Sequence, residues 1–374
     1  MSLLGDTIFV SRPAGPGSHR SGSRTPPAAP PLHSGATLVY SFDNLRVMNA
    51  DTGANRTLPL PAPAGGASDR AMIRIGDSLL LNRGDRAWLY RADLRGAPVD
   101  LGPSLRIIPG PSNHEVWLWW DPCAVAPVQG PGCSSAENSY GQGDIQLVDL
   151  SGRRIGRRIA LPLGAASGGK PGAGWFPTGD VVDGGLVLSN VYGPPNEEVW
   201  DPTRSRVIRV FPDGNVLASA GDVVAWMTNG PCVSRCIVHL TNVSTGIARD
   251  IPLPTGAVAI DQAAFSPDNQ TLAIPVGIGG AWPGHHPTGL VLVDPATRTA
   301  RLLPGSEQMP SPNFGAFNAT WSNSGWLFYT AYGSTQVLAW HPGAQTALIL
   351  SRIKLPRLPP PSRAGQQLPT LIAL

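Results

Sequence analysis

Val148-Asp-Leu-Ser-Gly152, Trp200-Asp-Pro-Thr-Arg204 and Val293-Asp-Pro-Ala-Thr-Arg298 are three copies of one turn, and this turn decides the fold. Each copy lies between two apolar, β-branched runs, which is the pattern of two strands joined by a tight turn. The polar marker residue of the turn occurs seven times between Ala36 and Ser351: Asp51, Asp93, Asp149, Asp201, Asn242, Asp294 and His341. Successive markers are 42, 56, 52, 41, 52 and 47 residues apart. A repeat of roughly 40–50 residues with four strands is typical of a β-propeller blade.

The sequence therefore predicts an all-β fold, a single seven-bladed β-propeller of four-stranded antiparallel blades. The 44 Gly and 40 Pro residues agree with many short strands joined by turns. A formal net charge of +3 is too small for a nucleic-acid partner, which needs a concentrated basic face. The densest basic run, Arg153–Arg158, falls in a turn and the outermost strand of blade three, where charge discourages aggregation of the sheet edge.

The two ends of the chain differ from the repeats. Residues 1–35 are expected to form a disordered linker, because Ser11–His33 contains almost no apolar residue that could be buried. Met1–Val10 is too short and polar to be a signal peptide or to span a membrane. A membrane helix missing upstream of this start is one hypothesis, and any contact with a membrane would come through such an anchor. The propeller is assigned to residues 36–351 and a Pro-rich tail to residues 352–374.

Blade one offers only three strands, so the ring needs a strand from one end of the chain to close. An unpaired inner edge would expose a row of backbone donors and acceptors. Thr7–Ser11 and Thr370–Leu374 are the two candidates. The C-terminal one, residues 370–374, is favoured because its composition is nearer to that of the predicted inner strands Ala71–Ile75, Asn215–Ala220, Gln262–Ser266 and Asn318–Ser322.

Residues 264–273, Ala-Phe-Ser-Pro-Asp-Asn-Gln-Thr-Leu-Ala, resemble a signature shared by WD40-like and TolB-like β-propeller repeats. The run into Phe265 is expected to be an inner strand, Pro267–Asn269 a tight turn, and Thr271–Ile274 the second strand. Asn269 stands where the family usually has Gly, and Asn is the next-best residue at positive φ. The resemblance implies a propeller that binds proteins or peptides, while some related propellers are enzymes; it assigns no site residue.

The four cysteines form two local pairs, Cys123 with Cys133 and Cys232 with Cys236. Both pairs fall between the predicted second and third strands, in blades three and five. Disulfides within each loop are favoured, and they would indicate an oxidising compartment outside the cytoplasm. Free thiols and a zinc site, with or without His285 and His286, are the alternatives; the spacing does not match a zinc knuckle, so no metal is expected.

Long insertions between second and third strands recur in blades three to six. They are expected to project from one face of the propeller, and loops on a rigid scaffold are where recognition residues accumulate. Tyr192, Trp282, His285 and His286 in these insertions are predicted binding residues, because aromatic side chains anchor interfaces and sugars. Variable loop length on a tolerant surface is the structural alternative.

No catalytic motif occurs in the sequence, so the expected function is non-catalytic binding of a protein, peptide or glycan outside the cytoplasm. Gly-x-Ser-x-Gly, Walker A and His-Glu-x-x-His patterns are absent. The predicted inner runs, such as Met72–Ile75 and Val216–Ser219, are apolar and supply few Asp, Glu or His side chains to the channel mouth. The alternative is a propeller hydrolase or lyase with a polar or Ca²⁺ site at the channel mouth. We expect a monomer without cofactor, and the Ala/Gly/Pro/Arg-rich composition indicates a high-GC bacterial genome.

Overall fold

The computed structural model confirms the predicted fold class, with seven antiparallel sheets arranged as a seven-bladed propeller. No residue that the structure describes is helical, so none of them belongs to a helix that could cross a membrane. The described residues are 32–41, 44–61, 69–120, 143–162, 175–190, 197–228, 235–259, 262–278, 287–307, 309–310, 317–331, 334–356 and 370–374.

Each blade follows the same path from an inner strand at the channel to an outer strand at the rim. In chain order the strands are β1 Thr37–Ser41, β2 Leu45–Asn49 and β3 Asn55–Leu58 (blade one); β4 Asp69–Ile75, β5 Ser78–Arg83, β6 Arg86–Tyr90 and β7 Val99–Pro103 (blade two); β8 Arg106–Pro109, β9 Glu115–Trp120, β10 Asp144–Asp149 and β11 Arg154–Ala160 (blade three); β12 Trp175–Val182, β13 Gly185–Asn190, β14 Glu197–Asp201 and β15 Arg206–Phe211 (blade four).

The remaining blades are built in the same way. Their strands are β16 Gly214–Ala220, β17 Val223–Thr228, β18 Ile237–Asn242 and β19 Ala248–Pro252 (blade five); β20 Ala257–Ala259, β21 Ala264–Phe265, β22 Leu272–Ile278, β23 Pro287–Asp294, β24 Thr299–Leu302 and β25 Met309–Pro310 (blade six); β26 Phe317–Trp321, β27 Leu327–Ala331, β28 Leu338–Trp340 and β29 Leu348–Ile349 (blade seven); and β30 Thr370–Ala373. In blade six, β20 and β21 both pair with β22 as a divided inner strand, and the short β25 pairs with β23.

The C-terminal of the two candidate strands closes the ring. β30 pairs antiparallel with β1, from Leu38 opposite Ala373 to Ser41 opposite Thr370. It becomes the inner strand of blade one, whose other three strands come from the opposite end of the propeller sequence. Blade one therefore holds strands from both ends of the repeat region.

The core consists of seven separate apolar clusters, one at each interface between neighbouring blades. For example, Leu38 and Leu371 of blade one pack against Phe328 of blade seven, and Leu79 of blade two packs against Val39 of blade one. Side chains alternate along each strand, so every strand supplies both of the interfaces that its blade forms. The Trp117 and Trp119 side chains share the interface of blades three and four, as the alternation predicts.

The marker residue ends the third strand in blades three to six. The side chains of Asp149, Asp201, Asn242 and Asp294 accept hydrogen bonds from backbone N–H groups of the following turn, which stabilises the turn. In blade one the predicted marker, Asp51, is wrong by two residues. There Asn49 ends the third strand and its Oδ1 accepts from the N–H groups of Asp51 and Thr52, at 3.0 and 2.8 Å.

Asp51 has another role, because its carboxylate accepts hydrogen bonds from the backbone of Ser34 and Gly35 ahead of β1. Blades two and seven also differ. The longer turns there follow Tyr90 and Trp340, so Asp93 and His341 lie beyond the strand ends. In blade six the expected turn is present, with Asn269 at a φ of 59°.

Candidate functional site

The strand order distinguishes two faces of the propeller. Connections from second to third strands and from one blade to the next emerge at one face, which we call the loop face. Connections from first to second and from third to fourth strands emerge at the other, the turn face. The longest connections between described strands all belong to the loop face: 59–68, 121–143, 161–174 and 350–369.

The insertions that the sequence analysis singled out also attach to the loop face. In blades three to six the chain passes from second to third strand through residues 121–143, 191–196, 229–236 and 279–286. The corresponding connection is 84–85 in blade two. The two faces of the molecule therefore differ in how much chain each one carries.

Most predicted site residues lie outside the described residues. These are Tyr192, Trp282, His285, His286, Cys123, Cys133 and Cys232. Cys236 is described: it immediately precedes β18, is only 2% exposed, and is not a free thiol. Its carbonyl accepts a hydrogen bond of 2.8 Å from the N–H of Leu253. The binding residues and both cysteine pairings stay predictions.

The channel wall carries charged side chains that the sequence analysis did not expect. The inner strands of neighbouring blades lie side by side around the ring. Arg74 on β4, Arg106 on β8 and Asp180 on β12 all belong to these inner strands and remain partly exposed. The expectation of apolar inner runs was based on 72–75 of β4 and 216–219 of β16, and each of these runs carries a polar side chain, Arg74 in the first and Ser219 in the second.

An irregularity in β12 accompanies the polar part of this wall. Pro177 pairs with Leu188 and Val181 pairs with Leu186, so Thr178, Gly179 and Asp180 together face the single residue Val187. Gly179 has a φ of 111°, which other residue types rarely adopt. Extra residues of this kind redirect side chains and are frequent next to active sites.

Four polar side chains from three inner strands come together at this irregularity, and we call them the channel cluster: Arg106, Thr178, Asp180 and Ser219. The Asp180 carboxylate accepts hydrogen bonds from the Thr178 and Ser219 hydroxyls, both at 3.2 Å. Arg106 Nη1 donates to the carbonyls of Pro177 and Thr178, at 2.6 and 2.7 Å. Burial raises the pKa of Asp180, while the two hydroxyls and the positive charge of Arg106 act in the opposite direction.

Glu197, the first residue of β14, connects this region to the interface of blades four and five. It is only 7% exposed and accepts a hydrogen bond from the backbone N–H of Val216 on β16. Burial raises its pKa to about 7, the negative charge of Asp180 adds to the effect, and the hydrogen bonds from Val216 and Ser189 oppose it. The Asp180 and Glu197 carboxyls thus influence each other electrostatically.

Glu198 enters the opposite interface, because consecutive strand residues point to opposite faces of a sheet. It lies opposite Leu188, whose side chain packs in the interface of blades three and four. Glu198 is also 7% exposed, burial raises its pKa to about 7, and no hydrogen-bond partner for its carboxyl is found among the described residues. One strand therefore inserts a buried carboxyl into each of its two interfaces.

No group of three or more His, Cys, Asp or Glu side chains suited to a metal ion occurs in the described part of the chain. The channel cluster in particular contains one carboxylate together with a guanidinium. Its geometry fits hydrogen bonding to a polar ligand.

No protein-family model and no curated protein matches the chain. Solved structures match it in fold. A putative 6-phosphogluconolactonase from Bacteroides fragilis has 11% identity and a TM-score of 0.52, covering 91% of this chain and 98% of that one. A putative TolB from Agrobacterium tumefaciens has 12% identity and a TM-score of 0.41, covering 71% of this chain and 87% of that one. The Cps50 (Swd1) β-propeller domain from Myceliophteria thermophila has 11% identity and a TM-score of 0.44, covering 77% of this chain and 88% of that one. The seven-sheet topology confirms the propeller fold that the resemblance to TolB-like and WD40-like repeats implied, and the match to the putative 6-phosphogluconolactonase agrees with it.

Proposed function

We propose that this propeller is a non-catalytic binding protein whose ligand, a protein, peptide or glycan, is held at the loop face. One observation carries the proposal: the longest connections between described strands belong to a single face. Short turns suffice to join strands, and no connection on the turn face between described strands exceeds the eight residues 91–98. Additional chain on one face of a rigid ring supplies a recognition surface.

Tyr192, Trp282, His285 and His286 are the proposed contact residues on this face. Trp282 is the proposed anchor, because a buried aromatic anchor typically contributes at least about 2 kcal/mol to binding. We further propose that Cys123–Cys133 and Cys232–Cys236 are disulfides and that the protein works outside the cytoplasm. The buried position of Cys236 and its lack of a free thiol support this proposal.

Trp282→Ala tests the proposed surface, with Trp326→Ala as a matched control. Trp326 lies in the turn between β26 and β27, on the turn face, and packs partly against the apolar cluster of blades seven and one, so its thermal midpoint is measured beside its binding. Purified protein is used to capture ligand from an extracytoplasmic fraction, and the dissociation constant of the captured ligand is then measured for each variant. Trp282→Ala is expected to weaken binding at least about thirtyfold with little change in the thermal midpoint. Equal binding by wild type and Trp282→Ala, or a loss caused only by Trp326→Ala, would refute the loop-face assignment.

A hydrolase or lyase is the second candidate, and the Asp180–Glu197 pair is the observation that favours it. Burial raises the pKa of both carboxyls, and neighbouring carboxyls with raised pKa values serve as general acids and bases in many enzymes. Hydrolysis of p-nitrophenyl esters and glycosides, compared between wild type and Asp180→Asn, distinguishes the two functions. Turnover by the wild type that is lost in Asp180→Asn would replace the binding proposal with the enzyme.

A further inference from the structure

The Asp180 carboxylate of the channel cluster can accept more hydrogen bonds than its described neighbours donate to it. A carboxylate can accept about four hydrogen bonds, and each hydroxyl can donate one and accept two. Asp180 accepts one bond from Thr178 and one from Ser219. All four side chains of the cluster are partly exposed, although they lie on the innermost strands. A cluster that served only to tie blades together would have no reason to leave polar surface facing the channel.

The charges of the cluster exclude strongly charged ligands. Arg106 contributes one positive charge, and Asp180 one negative charge when ionised. A cation would be repelled by the Arg106 guanidinium, and an anion by the Asp180 carboxylate whenever that carboxyl is ionised. An uncharged ligand that donates and accepts hydrogen bonds at adjacent atoms is repelled by neither the guanidinium nor the carboxylate. Neighbouring hydroxyl groups of a sugar have this property.

Aromatic surface lies at the loop-face end of the same strand. Trp175 and Phe176 are the first two residues of β12 and both are partly exposed. The Arg106 guanidinium carbon is 6.0 Å from the centre of the Phe176 ring, and Phe176, which packs partly against the apolar cluster of blades three and four, is therefore adjacent to the channel cluster. Aromatic side chains combine an apolar face with low conformational freedom, which suits the apolar side of a sugar ring.

We propose that the channel cluster, with Phe176 at its entrance, binds a neutral sugar unit that enters from the loop face. The proposal rests on the proposed binding function and narrows it to one ligand class and one patch of wall, in blades three to five. Arg106 and Asp180 would bind vicinal hydroxyls of the sugar, and Thr178 and Ser219 would orient the Asp180 carboxylate. The irregularity of β12 is what brings Thr178 and Asp180 to the channel together.

Calorimetric titration of the full chain with glucose, galactose, mannose and N-acetylglucosamine tests the proposal, with glucuronate and glucosamine as charged counterparts. At least one neutral sugar is expected to bind with a dissociation constant in the millimolar range or below, and more tightly than either charged sugar. Thr178→Val and Ser219→Ala each remove one of the two hydroxyls that donate to the Asp180 carboxylate, and each is expected to weaken binding about five- to tenfold. Thr299→Val, on the exposed outer strand β24, is the control and should not change binding.

Three results would overturn the proposal: no binding of any neutral sugar at about 10 mM, tighter binding of glucuronate or glucosamine, or unchanged binding in both cluster variants. Thermal midpoints of the variants show that they remain folded. The parallel Trp282→Ala measurement separates the two proposals. If Trp282→Ala loses its captured ligand and no neutral sugar binds, the loop-face function stands and the sugar site alone is wrong.

Discussion

Replacing Arg74 with Met tests how the ring is held closed. Arg74 Nη1 on β4 donates to the Ala373 carbonyl of β30 at 2.9 Å and to the Trp321 carbonyl of β26 at 3.3 Å. One side chain of blade two therefore joins the inner strands of blades one and seven. On the same edge of β30, the N–H of Ala373 donates to the Thr320 hydroxyl at 3.1 Å. The other edge of β30 is held by its ladder with β1.

The size of the effect follows from these two bonds. A hydrogen bond from a charged donor typically contributes about 1.5–3 kcal/mol, and the 3.3 Å bond should contribute less than the 2.9 Å bond. Met retains the apolar stem, and channel water can reach the abandoned carbonyls. We expect Arg74→Met to lower the free energy of unfolding by about 2–4 kcal/mol, which for a domain of this size corresponds to roughly 3–6 °C in the thermal midpoint.

Calorimetry measures the midpoint, and hydrogen exchange measures the local effect on β30. The backbone N–H groups of residues 371–374 should lose protection in Arg74→Met before the rest of the ring does. Arg154→Met, on the exposed outer strand β11, is the matched control and should change the midpoint by less than about 1 °C. An unchanged midpoint together with unchanged exchange of residues 371–374 would refute this account of closure.

Three further predictions concern other parts of the molecule. Glu198→Gln should match the stability of the wild type near pH 5 and exceed it near pH 8.5 by on the order of 3 kcal/mol. The reason is that a carboxyl whose pKa is raised to about 7 in the folded state destabilises the fold progressively as pH rises from its pKa in the unfolded chain through 7. Urea unfolding measures both proteins, and parallel pH profiles would contradict this prediction. In denaturant unfolding, Asn49→Ala should lower the free energy of unfolding by about 1–2 kcal/mol and Asp93→Ala by under about 0.5 kcal/mol. Asn49 Oδ1 accepts two backbone hydrogen bonds and one from the Thr52 hydroxyl, whereas the Asp93 carboxylate accepts one backbone hydrogen bond. Equal losses in the two variants would support the original marker assignment. Thiol titration of the denatured, unreduced protein should detect almost no free thiol if Cys123–Cys133 and Cys232–Cys236 are disulfides, and four reactive thiols would exclude both.

The blade count was predictable because it depends on a local signal repeated many times. A strand, a turn capped by an Asx side chain and a second strand occupy neighbouring residues, so the pattern survives in the sequence. The wrong marker in blade one shows the limit of a prediction from local sequence. Both Asn49 and Asp51 can cap a turn, and only the distant Ser34 explains why Asp51 is used elsewhere. Which of two capping residues acts depends on tertiary contacts.

The channel cluster was not predictable from local patterns, since its residues come from three blades. Arg106 and Ser219 are far apart in the chain and come near each other because the inner strands of blades three and five both pack against that of blade four. A sequence signal did exist at β12: Pro177 and Gly179 lie inside a strand, where both residue types are unusual and mark irregular pairing or a close approach. These two residues indicate an irregular strand at this position, but they do not indicate which side chains of other blades contact it.

Ring closure by β30 also sets the order in which the molecule can be completed during synthesis. The N–H of Thr37 pairs with the carbonyl of Leu374, so the first and last described strands are partners. All other strands have left the ribosome before β30 appears, and until then blade one has an open inner edge. The nascent propeller is therefore an open arc, and a cellular factor that binds exposed strand edges would find its target on unfinished chains and lose it when the last strand docks.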